Sequence, residues 1–282
     1  AWHDYNMGED GFNIYRSDTP MDVSAMPSPI ASVGANVGAY TDSTVVDGNI
    51  YYYRIGVIRN GEELISEEHA GVAIVVPDSI GSNVFIGGDM RAGYFGEVPS
   101  TDFITGDSLA SSIGLSAGYL NNNDVSWWKF ALDGEILYVP KKELRYNFSW
   151  DDINNVNAVY NDSNAPVVTI NGFNFRVTLL TGAEKDPMVN NNTQGSEWNR
   201  LIYRIHSETP PNQIGNNWIE YNTEDTDISG NTAEYTLCQE LSASDLSQCV
   251  FRGEYGVEYI RTFGVSTSGS NFGWRPALRL IQ

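Results

Sequence analysis

Early in the chain, apolar and polar residues alternate with the two-residue period of strands that bury one face. Gly11-Phe12-Asn13-Ile14-Tyr15-Arg16 is one such run, and Asp18-Thr19-Pro20 ends it. A turn at Asp47-Gly48 leads into Ile50-Tyr51-Tyr52-Tyr53-Arg54-Ile55-Gly56-Val57. There Tyr51, Tyr53, Ile55 and Val57 share one face and are expected to point inward. Asn60-Gly61 is a favoured hairpin turn, with the returning strand expected over residues 67–76. Pro77-Asp78-Ser79-Ile80-Gly81-Ser82 is dense in turn formers and marks a joint, dividing the chain into residues 1–78 and 79–282.

Beyond the joint, Gly, Asn, Ser and Trp become common. Helices are expected from Thr105 to Leu115, from Ser149 to about Tyr160, and from Ser196 through Trp198 and Leu201 to about Ile205. Thr105 or Asp107 lies at the first cap. Ser149 precedes Asp151-Asp152, acids placed where the helix dipole favours them. Between these helices, Trp127 to Val139 reads as two strands turning at Asp133-Gly134, and Val167 to Leu180 as a hairpin around Asn171-Gly172. The remainder reads as loop with short strands until Trp274 to Ile281. No repeat, heptad or low-complexity tract interrupts the pattern.

Composition narrows the function classes. The 282 residues are 41% hydrophobic and 12% aromatic, enough for real cores in two domains. Sixteen tyrosines and seven tryptophans against only 16 Lys+Arg suit β-structure and interaction surfaces. A formal charge of −20 with no basic stripe argues against nucleic acid, the densest basic spot being Lys141-Lys142 with Arg145. The acidity reads as solubility and repulsion between crowded copies, or as partly occupied calcium sites. No apolar stretch approaches a membrane span, and the polar N-terminus does not read as a signal peptide. A chain starting at Ala1 is expected to be processed or part of a longer polypeptide. Cys238 and Cys249 are spaced for a bridge, but two buried thiols fit equally.

The first segment resembles a fibronectin type III domain, on Gly11 to Ser17 followed by Asp47-Gly48-Asn49-Ile50-Tyr51-Tyr52-Tyr53-Arg54. The resemblance implies a β-sandwich with Tyr51 as the corner tyrosine, bonded to upstream backbone, and Trp2 as a core residue of the second strand. Almost nothing precedes Trp2, so the first strand is missing; upstream chain or a strand from another molecule is expected to cover that edge.

An ordered set of phrases in the second segment resembles a C-terminal module of bacteriophage tail-fibre and virion proteins. It comprises residues 88–97, Trp128-Lys129-Phe130, residues 137–142, residues 195–201, Arg252-Gly253, Tyr255-Gly256, and Gly273-Trp274-Arg275-Pro276-Ala277-Leu278. The last phrases also resemble the end of the C-type-lectin-like fold, which includes formylglycine-generating enzymes. That resemblance implies buried phrases with Trp198, Trp274 and Arg275 as structural residues, and loops between them forming a binding face. The calcium tripeptides of sugar-binding lectins are absent, and the cysteines do not match the enzyme pattern.

Chemistry on the residues themselves is sparse. His3, His69 and His206 form no ligand pair and no triad. Glu197, Glu220, Glu240 and Asp245 sit in no catalytic context, and the glycine phrases lack a strand–GxGxxG–helix setting. Glu224-Asp225-Thr226-Asp227 with Asn231 reads as a solvated acidic loop, with calcium as the alternative. Asn191-Asn192-Thr193 matches a glycosylation pattern by chance.

The fold expected is mainly β with some α: a fibronectin type III-like sandwich over 1–78, then an α+β C-type-lectin-like domain over 79–282. The function expected is a non-enzymatic, homo-oligomeric virion-surface protein without cofactor or metal. It would bind other virion subunits and a host-surface glycan or protein, with no nucleic acid and no membrane insertion. Tyr255, Tyr259, Arg261, Phe263 and Asn271, beside Trp218 and Tyr221, are the expected ligand face. Alternatives are a capsid decoration or collar protein, a bacterial cell-surface adhesin, and a glycan-cleaving enzyme.

Overall fold

Short β-strands joined by tight left-handed turns dominate the computed structural model, which describes residues 8–46, 48–73, 75–189, 195–208, 217–228 and 235–282. The chain separates into two compact units, 1–76 and 77–282.

The first unit is built on β1 (Gly11–Ser17), β2 (Ala31–Gly34), β3 (Ile50–Arg59), β4 (Glu62–Ile65) and β5 (His69–Val72). They form one antiparallel sheet in the order β2-β1-β3-β4, with β5 also on β3. Asn60 and Gly61 have φ of 53° and 81°, the paired positive values that a two-residue hairpin requires. The return on β3 differs from expectation because it comes in two pieces, starting at Glu62 rather than Glu67. Ser66 splits it: its N–H donates to Ile55 O at 2.8 Å while its hydroxyl accepts from Ile55 N at 2.9 Å. Phe12, Ile14 and Tyr51 are buried on one face, whereas Tyr53, Ile55 and Val57 are only half-buried. Among the described residues the strands of this unit form a single sheet. Trp2 lies outside the described residues, as do His3, the 191–193 tripeptide and Asn231.

The second unit holds two sheets. The seven-stranded sheet contains β6 (Gly87–Asp89) and β7 (Ala92–Val98). Helix α1 (Gly106–Ser112) follows, capped by Thr105, and then β8 (Tyr119–Leu120). The hairpin β9 (Trp127–Leu132) and β10 (Glu135–Pro140) turns at Asp133-Gly134, with φ of 48° and 91°. After β11 (Arg145–Tyr146) comes α2 (Trp150–Asn154). Ser149 and Asp152 form its capping box, and the helix ends early because Asn157 turns left-handed. A second such hairpin joins β12 (Val167–Ile170) and β13 (Phe173–Thr178). The short helix α3 (Glu197–Leu201) is capped by Ser196 and tightens into a 3-10 turn over Ile202–Arg204.

Thr223–Thr226 forms α4, so the acidic segment is a helical turn, not a solvated loop. Asp225 completes a capping box with Asn222, and Asp227 pairs with Lys142 at 3.3 Å. The long strands β14 (Tyr235–Ser242) and β15 (Asp245–Gly253) stand where mostly loop was expected, followed by β16 (Ile260–Gly264), β17 (Phe272–Trp274) and β18 (Ala277–Leu280).

The sheet orders are β12-β13-β18-β10-β9-β7-β6 and β16-β15-β14-β17-β11-β8. All pairs are antiparallel except β14 with β17. One face of the larger sheet packs Tyr94, Trp128, Phe130, Leu137 and Val139 against Trp198, Leu201, Ile202 and Tyr203. Its other face buries Trp127, Phe103, Tyr138 and Phe175 in ring contacts of 4.5–5.5 Å. Strands covered on both faces read as near-continuous apolar runs, as Trp127–Leu132 does apart from Lys129.

Candidate ligand-binding surface

Arg252, at the end of β15, lies wholly inside the protein. Its guanidinium donates to Gly182 O (2.9 Å), Asn199 Oδ1 (2.8 Å) and Tyr203 Oη (2.7 Å). A fourth contact reaches Val257 O at 3.4 Å, in the next loop, and Trp198 Nε1 donates to the same carbonyl at 2.7 Å. The loop from Gly253 to Tyr259 is therefore pinned from beneath by two buried side chains. It closes on itself through Gly253 N to Tyr259 O at 3.1 Å.

Two successive left-handed residues, Gly253 (φ 97°) and Glu254 (φ 75°), then throw the chain outward. A glutamate in that region carries backbone strain of about 1–3 kcal/mol, which persists only where the surroundings impose it. Here the surroundings are tyrosines and an arginine. The Glu254 carboxylate is nearly buried, and Arg261 Nε lies 3.9 Å from it. Its charge raises the pKa of the exposed Tyr255 hydroxyl; Tyr235 is raised first by burial and then by its hydrogen bond to Glu254.

Tyr255 is 69% exposed and meets Tyr259 edge-on at 5.0 Å. The Arg261 guanidinium sits 5.4 Å from the Tyr259 ring centre. Beside Arg261 a shallow depression of about 430 Å³ is lined by Met188, Ile260, Thr262 and Phe263. Tyrosine and arginine, held by a rigid loop at a surface, offer stacking faces and directed donors at small ordering cost.

The expected face is thus only partly assembled. Tyr255, Tyr259 and Arg261 come together. Phe263 is half-buried and belongs to an aromatic cluster with Tyr235, Phe251 and Phe272 at 5.1–5.4 Å. Asn271 is half-buried, its carbonyl accepting from Tyr235 N at 2.9 Å.

Trp218 and Tyr221 belong to the larger sheet instead. Tyr221 is only 9% exposed, bonded to Tyr94 Oη at 2.8 Å and to Glu97 Oε1 at 2.7 Å. Trp218 is half-buried against Gly87 and Gly88, where an added Cβ would strike the indole. Arg204 stacks over its ring at 4.5 Å. Tyr221 is thus a buried packing residue, whereas Trp218 keeps partial exposure.

Glu254 and Tyr235, both buried, back the patch through contacts with Arg261, and sequence reasoning passed over them. A Glu after Arg-Gly gives no hint of a left-handed backbone. Trp198, Trp274 and Arg275 are fully buried. Tyr51, at the start of β3, accepts a hydrogen bond from Val46 N at 3.1 Å. Cys238 and Cys249 are separate buried thiols rather than a bridge. Cys249 stands opposite Leu241 in the strand register, three residues from Cys238.

Among the described residues no three His, Cys, Asp or Glu side chains converge as a metal site, and no helix is long and apolar enough to cross a membrane. A larger cleft, about 640 Å³, lies on the half-covered face of the first unit between Ile14, Tyr40, Tyr51, Tyr53 and Val72. Comparison with protein-family models, curated proteins and solved structures finds no match to this chain.

Proposed function

We propose that this chain is a non-catalytic surface component of a bacteriophage particle, in which the second unit displays a recognition patch made of Tyr255, Tyr259 and Arg261. The observation that carries the reading is the anchoring of the 253–259 loop by buried Arg252 and Trp198, which fixes an exposed aromatic and cationic patch in advance of binding. Fixed geometry of this kind favours recognition because little freedom remains to be lost on contact.

In this reading the second unit is a C-type-lectin-like module. Its Arg252-Gly253 and Gly273-Trp274-Arg275 phrases form the interior, and the loop between them faces outward. The first unit is a fibronectin-type spacer. The β1-β3-β4 order, with Tyr51 opening the central strand and its hydroxyl bonded to Val46 N, supports that assignment. The partners are neighbouring virion subunits and a host-surface glycan or protein.

Gold-labelled antibody against the chain, imaged on intact particles, tests the proposal. Label on particle appendages is the expected result. Label confined to uninfected cells would assign the chain to a bacterial adhesin instead.

A further inference from the structure

Lys129 is the only charged residue in the Trp127–Leu132 run, and its side chain has no exposed surface. It lies on the face of the larger sheet covered by residues 77–84. Its Nζ donates to Ser82 O at 2.8 Å and to the Asn83 side-chain oxygen at 2.6 Å. Phe95 and Tyr138 wall the ammonium at 5.0 and 6.0 Å from their ring centres. Gly81, left-handed at φ 81°, lets this segment settle closely; a Cβ there would meet Val98 at 2.6 Å. Tyr138 Oη donates to Ile80 O at 2.6 Å and holds the segment down.

The Asn83 carboxamide receives a second donor. Ser79 Oγ lies 3.0 Å from the same oxygen and 3.1 Å from Pro77 O, so its single hydroxyl proton can turn to Asn83 as negative charge develops there. Burial lowers the Lys129 amine to about 8, and the charge of Asp78 only partly opposes this. A useful fraction of neutral, nucleophilic amine therefore exists at neutral pH.

We propose that Lys129 and Asn83 join through an intramolecular isopeptide bond. The lone pair of neutral Nζ attacks Cγ of Asn83, and the Ser79 hydroxyl stabilises the resulting oxyanion. The Cγ–Nδ2 bond then breaks, and the leaving nitrogen takes up the proton released by the amine and departs as ammonia. One C–N bond forms, one breaks, and nothing is oxidised or reduced. The product ties the entry segment of the second unit covalently to an interior strand, independently of what the Tyr255 patch binds.

Intact mass of the denatured, purified full-length chain tests this. The expected mass is lower than the sequence by one ammonia, and a tryptic digest should give a branched peptide holding Asn83 and Lys129, uncleaved after Lys129. Lys129→Arg and Asn83→Ala should each restore the sequence mass. A wild-type chain at full mass overturns the proposal. So does an ammonia deficit that persists in Lys129→Arg, since it would then reside in a succinimide at Asn83.

Discussion

Arg275 Nη2 lies 2.7 Å from Glu143 Oε1, and neither side chain has any exposed surface. The same carboxylate oxygen accepts from Thr236 Oγ1 at 2.8 Å, and Arg275 Nη1 donates to Lys141 O at 3.1 Å. The pair thus joins β14 to the segments flanking β10 and β18. Removing one member leaves a buried charge without its counter-ion, which costs more than the pair itself contributes. Arg275→Ala should destabilise the second unit by about 3–5 kcal/mol, read from urea unfolding. Arg275→Met combined with Glu143→Leu should recover most of that loss.

Trp198 fills the cluster under the larger sheet and donates to the loop carrying Tyr255. Trp198→Ala should cost about 3–5 kcal/mol through the cavity alone. It should also raise hydrogen exchange in residues 253–259. Unchanged exchange there would remove the indole as an anchor of the loop.

Glu240 is a buried carboxyl raised from 4.5 to about 7 by burial, with the charge of Asp186 adding to the effect; Gly182 N donates to it at 2.9 Å. The folded state holds this proton more tightly than the unfolded chain. Its contribution is therefore present in full below pH 4.5 and is lost as pH rises towards 7, on the order of 3 kcal/mol. His206 works in the opposite sense. Burial and the Arg275 charge lower it to about 4, so acidification from 6.5 towards 4 favours the unfolded, protonated imidazole. Wild-type stability should consequently vary little from pH 4.5 to 6.5. In Glu240→Gln the His206 slope should stand alone, and its stability relative to wild type should grow as pH rises to 7. A constant difference across that range would contradict the assignment.

Burial pushes the Cys249 thiol up to about 12 and the Cys238 thiol well above its ordinary range. Neither should react with an alkylating reagent in the native chain. Both should react in denaturant without any reductant. If alkylation needs prior reduction, the two are bridged.

Short-range features were legible in the sequence because they are set by adjacent residues. Asn60-Gly61, Asp133-Gly134 and Asn171-Gly172 turn where expected, and Thr105, Ser149 and Ser196 cap their helices. β14 was not legible. It is buried on nearly every position and bulged against β15, so no two-residue period survives in Tyr235–Ser242. Tyr221 was misread as displayed because its partners, Tyr94 and Glu97, lie more than a hundred residues away. Of the binding face, Tyr255, Tyr259 and Arg261 were legible as residue types, whereas the strained Glu254 that organises them depends on the folded loop.

The most direct measurement is binding of the purified chain to whole bacterial cells and to glycans extracted from their surfaces. Tyr255→Ala with Arg261→Ala removes the exposed ring and the guanidinium without touching Arg252 or Trp198. The account predicts at least about a tenfold loss of binding, since exposed Tyr and Arg anchors typically dominate such contacts. It also predicts an unchanged unfolding midpoint for the second unit. Undiminished binding by a well-folded double variant would contradict the assignment of this patch as the recognition surface.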